Sequence, residues 1–339
     1  YGLTDRASTA YPVQLQELLG DGYAVRNFGR NGATLLENGH RPYIETEEYK
    51  DALDYRPHVV IIHLGLNDTD PRNWPNYRDE FISNYTDLID AFLKIDTNPR
   101  PKVWICRMTP IFHGHPRFKA GTRDWFWQIQ EAIAIIARHN AVGLIDLQTP
   151  LYHRPDLFPD NLHPVAEGAE IIAATVYSSI TGQYGGLKLP TFFGNHMVLQ
   201  RSKPIPVWGT ADFNQEITVD FNHNIQSTRA DAQGKWRLDL PRMEAGGPHN
   251  LHIYSEDTSI LLRDILIGEV WLCSGQSNMA FRLDQSANAD AAIAEAELPE
   301  VRLFNMKAIA WAGNVKWPED VLEKTNQLDF FTAKWQQCT

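Results

Sequence analysis

The chain has 339 residues, enough for two or three domains that each bury a core. Its apolar content of 43% and charged content of 22% lie near globular averages, which argues against wholesale disorder. A net charge of −11 argues against a nucleic-acid or anionic-membrane surface, because phosphate binding needs clustered Lys and Arg.

From residue 1 to about 184 helices and strands alternate. Residues 10–19 have helical spacing in Leu15, Leu18 and Leu19. Residues 23–28 read as a short strand, and the continuous apolar run over 58–64 as a buried parallel strand. Over 77–93, Phe81, Tyr85, Leu88, Ile89 and Phe92 share one helical face. Residues 103–106 and 142–146 are further strands, separated by a helix around 127–138, and a last helix follows His163. Such alternation predicts a parallel sheet covered on both faces, with a site at the carboxyl ends of its strands. Leu64 to Asp68 falls at one such end.

The texture changes after Gly185. Pro190, Pro204, Pro206, Pro241 and Pro248 punctuate short runs with two-residue alternation, such as Ile217-Thr218-Val219-Asp220-Phe221. Turn signals about every ten residues predict an antiparallel β-sandwich over 185–264. Residues 265–273 then read as a buried strand leading into Gly275-Gln276-Ser277-Asn278-Met279, with a helix over 287–296. This third segment, 265–339, looks like the opening of another α/β domain.

Ester hydrolysis requires a nucleophilic hydroxyl, a base, a group that orients the base and donors for the developing oxyanion. Asp160 and His163 stand three residues apart before a helix, so one loop presents both. His163 would be the base and Asp160 would fix its tautomer. Asn67 offers a side-chain amide at a strand end, and Gly32 a backbone N–H in a glycine turn. Each is weak alone: Asp160 also suits a helix N-cap region and Asn67-Asp68 an ordinary turn.

Taken jointly and in this order, Gly32, Asn67, Asp160 and His163 resemble the SGNH (GDSL-type) hydrolase family over residues 1–184. The resemblance implies a flavodoxin-like parallel sheet. Tyr1-Gly2 looks like the end of that family's first block, which places the nucleophile three positions before Tyr1, with its strand. Residues 187–339 resemble the sialate O-acetylesterases. The match includes His196-Met197-Val198-Leu199-Gln200-Arg201, Lys203 to Gly209 and the segment Gly268-Glu269-Val270-Trp271-Leu272-Cys273-Ser274-Gly275-Gln276-Ser277-Asn278-Met279. That resemblance makes Ser277 a nucleophile whose His and Asp partners would follow Thr339. Where the family often has an acidic residue after Met279, this chain has Ala280.

The resulting expectation is a carbohydrate O-acetylesterase, sialate first and xylan or pectin as alternatives, acting on an O-acetylated sugar or glycan by Ser-His-Asp covalent catalysis. The mechanism requires no metal or organic cofactor, and family resemblance suggests a periplasmic or secreted setting. A rival arrangement brings Ser277 into one site with Gly32, Asn67, Asp160 and His163, and a reading from another class makes the sandwich a glycan-binding module. An acidic sugar would want an Arg clamp, for which Arg30 and Arg107 are candidates. His113 and His115 suit a solvated loop better than a metal site without a third ligand. His63 reads as a core residue, and Asp284 and Asp290 as charged surface. Cys106, Cys273 and Cys338 lack metal-ligand spacing, and the first two are expected as buried thiols. Ten Trp, twelve Tyr and fifteen Phe suit sugar faces and packed cores alike. No apolar run is long enough to span a membrane.

Overall fold

The computed structural model describes residues 3, 5–112, 115, 122–275, 277–279, 281–308 and 331–338. They divide into two units, Tyr1–Ile180 and Thr181–Thr339.

In the first unit the apolar runs become strands β1 (Val59–Ile62), β2 (Lys102–Arg107) and β3 (Gly143–Asp146), parallel and in the order β1-β2-β3. Helices α1 (Tyr11–Leu19), α2 (Glu47–Asp54), α3 (Phe81–Leu93), α4 (Thr122–His139) and α5 (Ala166–Thr181) surround them. Successive strand side chains point to opposite faces, and β2 shows the result. Val103 and Ile105 pack with Phe81, Tyr85 and Ile89 of α3 and Ile129 and Ile133 of α4. Cys106 packs with Leu15 of α1 and Ile172 and Val176 of α5. Both faces are therefore covered, as a parallel sheet requires. The α3 stripe is the one read from the sequence: Phe81, Tyr85, Leu88, Ile89 and Phe92 are its buried residues. Helix α2 starts where the Thr46 hydroxyl accepts the Tyr49 N–H at 3.2 Å.

Two neighbouring strands fit only because β3 begins with glycine. Gly143 lies opposite Trp104, and a methyl group there would overlap the indole ring. Gly143→Ala is expected to destabilise the unit by about 1–3 kcal/mol through overpacking, read as a lower urea midpoint at constant m-value.

One expected strand does not form. Among the described residues, 23–28 join no ladder, and β1 is the edge of its sheet, bonded to β2 alone. A ladder needs a partner within hydrogen-bond reach, and between these two segments lies a cavity instead.

The second unit is an antiparallel assembly with one parallel pair. Its strands are β4 (Val198–Gln200), β5 (Ile205–Thr210), β6 (Glu216–Phe221), β7 (Asn224–Arg229), β8 (Lys235–Leu240), β9 (Gly246–Tyr254) and β10 (Ser259–Gly268). Five form a sheet in the order β4-β10-β9-β6-β7, while β5 pairs with β8. Val207, Ile217, Val219, Trp236, Leu251 and Ile253 fill the core between them.

The expected boundary at residue 264 falls inside a strand. Ile265 and Ile267 of β10 bury into the sandwich core, so the sandwich runs to Gly268. Beyond it the chain leaves the sheet, and Cys273 is exposed rather than buried. The helix expected over 287–296 is the short α6 (Ala289–Ala294), followed by β11 (Leu298–Phe304) paired antiparallel with β12 (Trp335–Cys338). Among the described residues, no helix is long and apolar enough to cross a membrane.

Candidate active site

Strand β1 runs out through Gly65, whose φ of +118° suits a residue without a side chain. A 3-10 turn (Asn67–Thr69) follows, placing Asn67 at the carboxyl end of the strand. Its side-chain amide donates to the Ala33 carbonyl at 2.9 Å. The structure thus seats Asn67 against the loop that holds Gly32. Gly32 has a φ of +75°, and its N–H makes no hydrogen bond among the described residues.

Asp68 turns the other way, into the protein, and is fully buried. Its two oxygens accept the Leu35 N–H at 2.9 Å and the Leu36 N–H at 2.8 Å. Burial pushes its carboxyl up to about 6 against the pull of those bonds. Asn73, also fully buried, donates to the Asn67 carbonyl at 2.8 Å and accepts the His40 N–H at 3.0 Å.

Asp160 and His163 meet in the loop before α5. The Asp160 Oδ1 accepts the Leu162 N–H at 3.0 Å and the His163 N–H at 2.7 Å. Its Oδ2 lies 2.6 Å from His163 Nδ1. With the proton on Nδ1, Nε2 keeps the lone pair that a general base needs. Burial raises the Asp160 carboxyl, but the bonds from the His163 backbone and ring outweigh it and hold it at about 2. The Phe112 N–H donates to the Asn161 carbonyl at 3.0 Å, tying this loop to the segment that follows β2.

Residues 1–171 match the model of the GDSL-like lipase/acylhydrolase family. The chain belongs to that family. It is 34% identical over 205 residues to an acetylxylan esterase of Xylanibacter ruminicola, a match covering 52% of this chain and 40% of that protein. It is 32% identical over 133 residues to a sialate O-acetylesterase of Rattus norvegicus, covering 36% of this chain and 24% of that one. A crystal structure of a carbohydrate acetylesterase from Xanthomonas citri aligns with 31% identity, a TM-score of 0.36, and 45% and 32% coverage of the two chains. The matched regions span less than half the length of these curated relatives.

The Gly275 to Met279 segment lies in the second unit. Ser277 is exposed at the start of a 3-10 turn (Ser277–Met279), and no His or Asp bonds to it among the described residues. Gln276 and Ala280 of that segment, like Tyr1, Gly2 and His113, fall outside the described residues.

Beside β1 lies the cavity of about 340 Å³, walled on one side by residues 23–30 and on the other by residues 59–67. His63 lines it, and burial pushes that ring down to about 4, so it is neutral at physiological pH. Arg30 pairs with Glu48 at 2.9 Å on the surface. Arg107, at the end of β2, has a buried Nε without a hydrogen-bond partner among the described residues. Asp284 pairs with Arg282, and Asp290 is exposed. His115 is half-buried, and no group of three potential ligands is placed to hold a metal among the described residues.

Three groups escaped the sequence reading. Asp68 holds the Leu35 and Leu36 N–H groups, and Asn73 the His40 N–H and the Asn67 carbonyl. Arg154 ties the Asp160 loop through Asp156 and Glu167. In the second unit His196 Nδ1 lies 2.6 Å from Asp264, which also accepts from Arg302 and Gln337. No short motif marks any of these: the partners of Asp68 and His196 are distant in sequence, and the Arg154–Asp156 pair, though two residues apart, has no spacing signature of its own.

Proposed function

We propose that the protein is a carbohydrate O-acetylesterase that removes acetyl groups from sugars through a serine acyl-enzyme. The observation that carries this reading is the Asp160–His163 pair at 2.6 Å, on the same family-matched unit in which Asn67 is bonded to the Gly32 loop. His163 Nε2 acts as the base, Asp160 holds the ring and stabilises the imidazolium, and Gly32 N–H with the Asn67 amide receives the oxyanion. The nucleophile of this half-site belongs on an extended segment lying in the cavity between residues 23–28 and β1, which among the described residues pairs with β2 alone and so offers its outer edge. Such a segment, parallel to β1, delivers its carboxyl end beside Asn67. Ser277 is the nucleophile of a second esterase half-site.

Acetylated sialic acid is the first substrate proposed, on the likeness to the sialate O-acetylesterase. The match to the acetylxylan esterase supports acetylxylan as the alternative substrate. Arg107, with its unpartnered buried Nε, is the candidate clamp for an acidic sugar. Acetate release from O-acetylated sialic acids, acetylxylan and acetylated pectin, measured side by side, discriminates them. Release from none of the three would sink the carbohydrate reading. For the second half-site, Ser277→Ala in the intact protein is expected to remove a measurable share of p-nitrophenyl acetate hydrolysis. Unchanged turnover would count against Ser277 as a nucleophile.

A further inference from the structure

The Asp68 side chain has no part in the reaction proposed above, yet it is the most deeply placed carboxylate of the first unit. It is fully buried, and no side-chain cation pairs with it among the described residues. A carboxylate placed this way is retained against a desolvation penalty, so what its oxygens hold is informative. They hold two consecutive backbone N–H groups, Leu35 and Leu36, which follow Gly32 and Ala33 after the single residue Thr34. The neighbouring residue, Asn67, bonds Ala33 from the same turn, and Asn73 bonds the Asn67 carbonyl from below.

We infer that Asp68 is a positioning residue: it clamps the loop after Gly32 to the Asn67 turn, so that the Gly32 N–H and the Asn67 amide keep one fixed spacing. Its catalytic consequence rests on reading those two groups as oxyanion donors. Donors gain their effect by being aligned before the charge develops, and a loop free to move by an ångström forfeits that alignment. The clamp needs an ionised carboxylate, because a protonated oxygen presents an O–H to an N–H that must donate. Tyr85, whose pKa is itself raised well by burial, senses the Asp68 charge from α3, and His40 faces the same network through Asn73 at 3.1 Å.

The test uses ¹³C,¹⁵N-labelled protein. In the native protein, couplings through the hydrogen bonds should connect the Leu35 and Leu36 amides to the Asp68 carboxylate carbon; their absence would overturn the clamp without any variant. In Asp68→Asn, the Leu35 and Leu36 amides and the Asn67 side-chain amide should exchange about tenfold faster or more, while Ile105 in β2 keeps its protection. Equal exchange at those three groups would refute the inference. In the intact protein carrying Ser277→Ala, so that only this site is read, kcat for p-nitrophenyl acetate should fall about 10²-fold with KM nearly unchanged, the signature of a loss confined to the transition state. A rise in KM at constant kcat would overturn the positioning role. Faster exchange with kcat and KM both unchanged would leave the clamp standing and instead remove Gly32 and Asn67 from the oxyanion hole.

Discussion

Asp160→Asn in the intact protein, placed on a Ser277→Ala background that silences the second half-site, is expected to lower kcat for acetyl ester hydrolysis by about 10⁴-fold, the size seen when a triad loses the group that sets its tautomer. The geometry gives two ways to fail and none to compensate. Oδ1 accepts two backbone N–H groups, from Leu162 and His163, and Oδ2 faces His163 Nδ1. If the asparagine oxygen stays on the backbone side, its NH₂ group faces Nδ1 and bonds only when Nδ1 carries no proton. The proton then sits on Nε2, and the ring has no lone pair to offer a serine hydroxyl. If the amide flips, its NH₂ group meets two N–H donors and the loop must open. Steady-state kinetics with p-nitrophenyl acetate checks this, and a kcat within tenfold of that of the Ser277→Ala parent would remove His163 and Asp160 from the chemistry. Acid behaviour follows the same contacts. The Asp160 carboxyl is held at about 2, below the usual carboxylate range, so its contribution to stability is present above about pH 4 and lost as pH falls through about 2. Asp68 runs the opposite way. Its carboxyl is pushed up to about 6, so its contribution is greatest below about pH 4 and is lost as pH rises through 6.

What the sequence showed and what it hid divide along one physical line. Helix α3 and strand β2 are legible because their apolar spacing matches the period of the element within a dozen residues. Asp160 and His163 are legible because the whole interaction lies within four residues. Residues 23–28 have the composition of a strand, but a strand exists only with a neighbour, and a cavity occupies that place. The boundary expected at 264 failed for a related reason. Asp264 has a φ of +55°, and the ladder to β9 shifts register between Leu262 and Ile265, so the alternation breaks while the strand continues. Asp68 was hidden because its partners lie 33 and 32 residues back, where no spacing rule reaches.

Arg154→Met carries the largest expected loss of stability, about 3–5 kcal/mol, because it leaves a buried carboxylate without its cation. The Arg154 side chain is 5% exposed and that of Asp156 11%. Arg154 donates from Nε to both Asp156 oxygens at 3.0 and 3.1 Å, and from Nη2 to Oδ2 at 2.8 Å. Nη2 also reaches Glu167, in the first turn of α5, at 2.8 Å. Glu167 is 55% exposed, so that second pair is screened by solvent and adds little. The bidentate, dehydrated pair with Asp156 is therefore the term that decides. Removing both partners should be gentler than removing one, since the double replacement Arg154→Met with Asp156→Leu strands no charge. Urea unfolding of the native protein, the two single variants and the double variant completes the cycle. Losses that simply add would show that the pair is not coupled and that Arg154 acts through packing alone. The same substitutions connect to the site, because the loop that Arg154 anchors leads directly into Asp160. Where the Arg154 variant remains folded, its kcat should fall in parallel with the loss of the Asp160–His163 contact, seen as a shift of the His163 ring resonances.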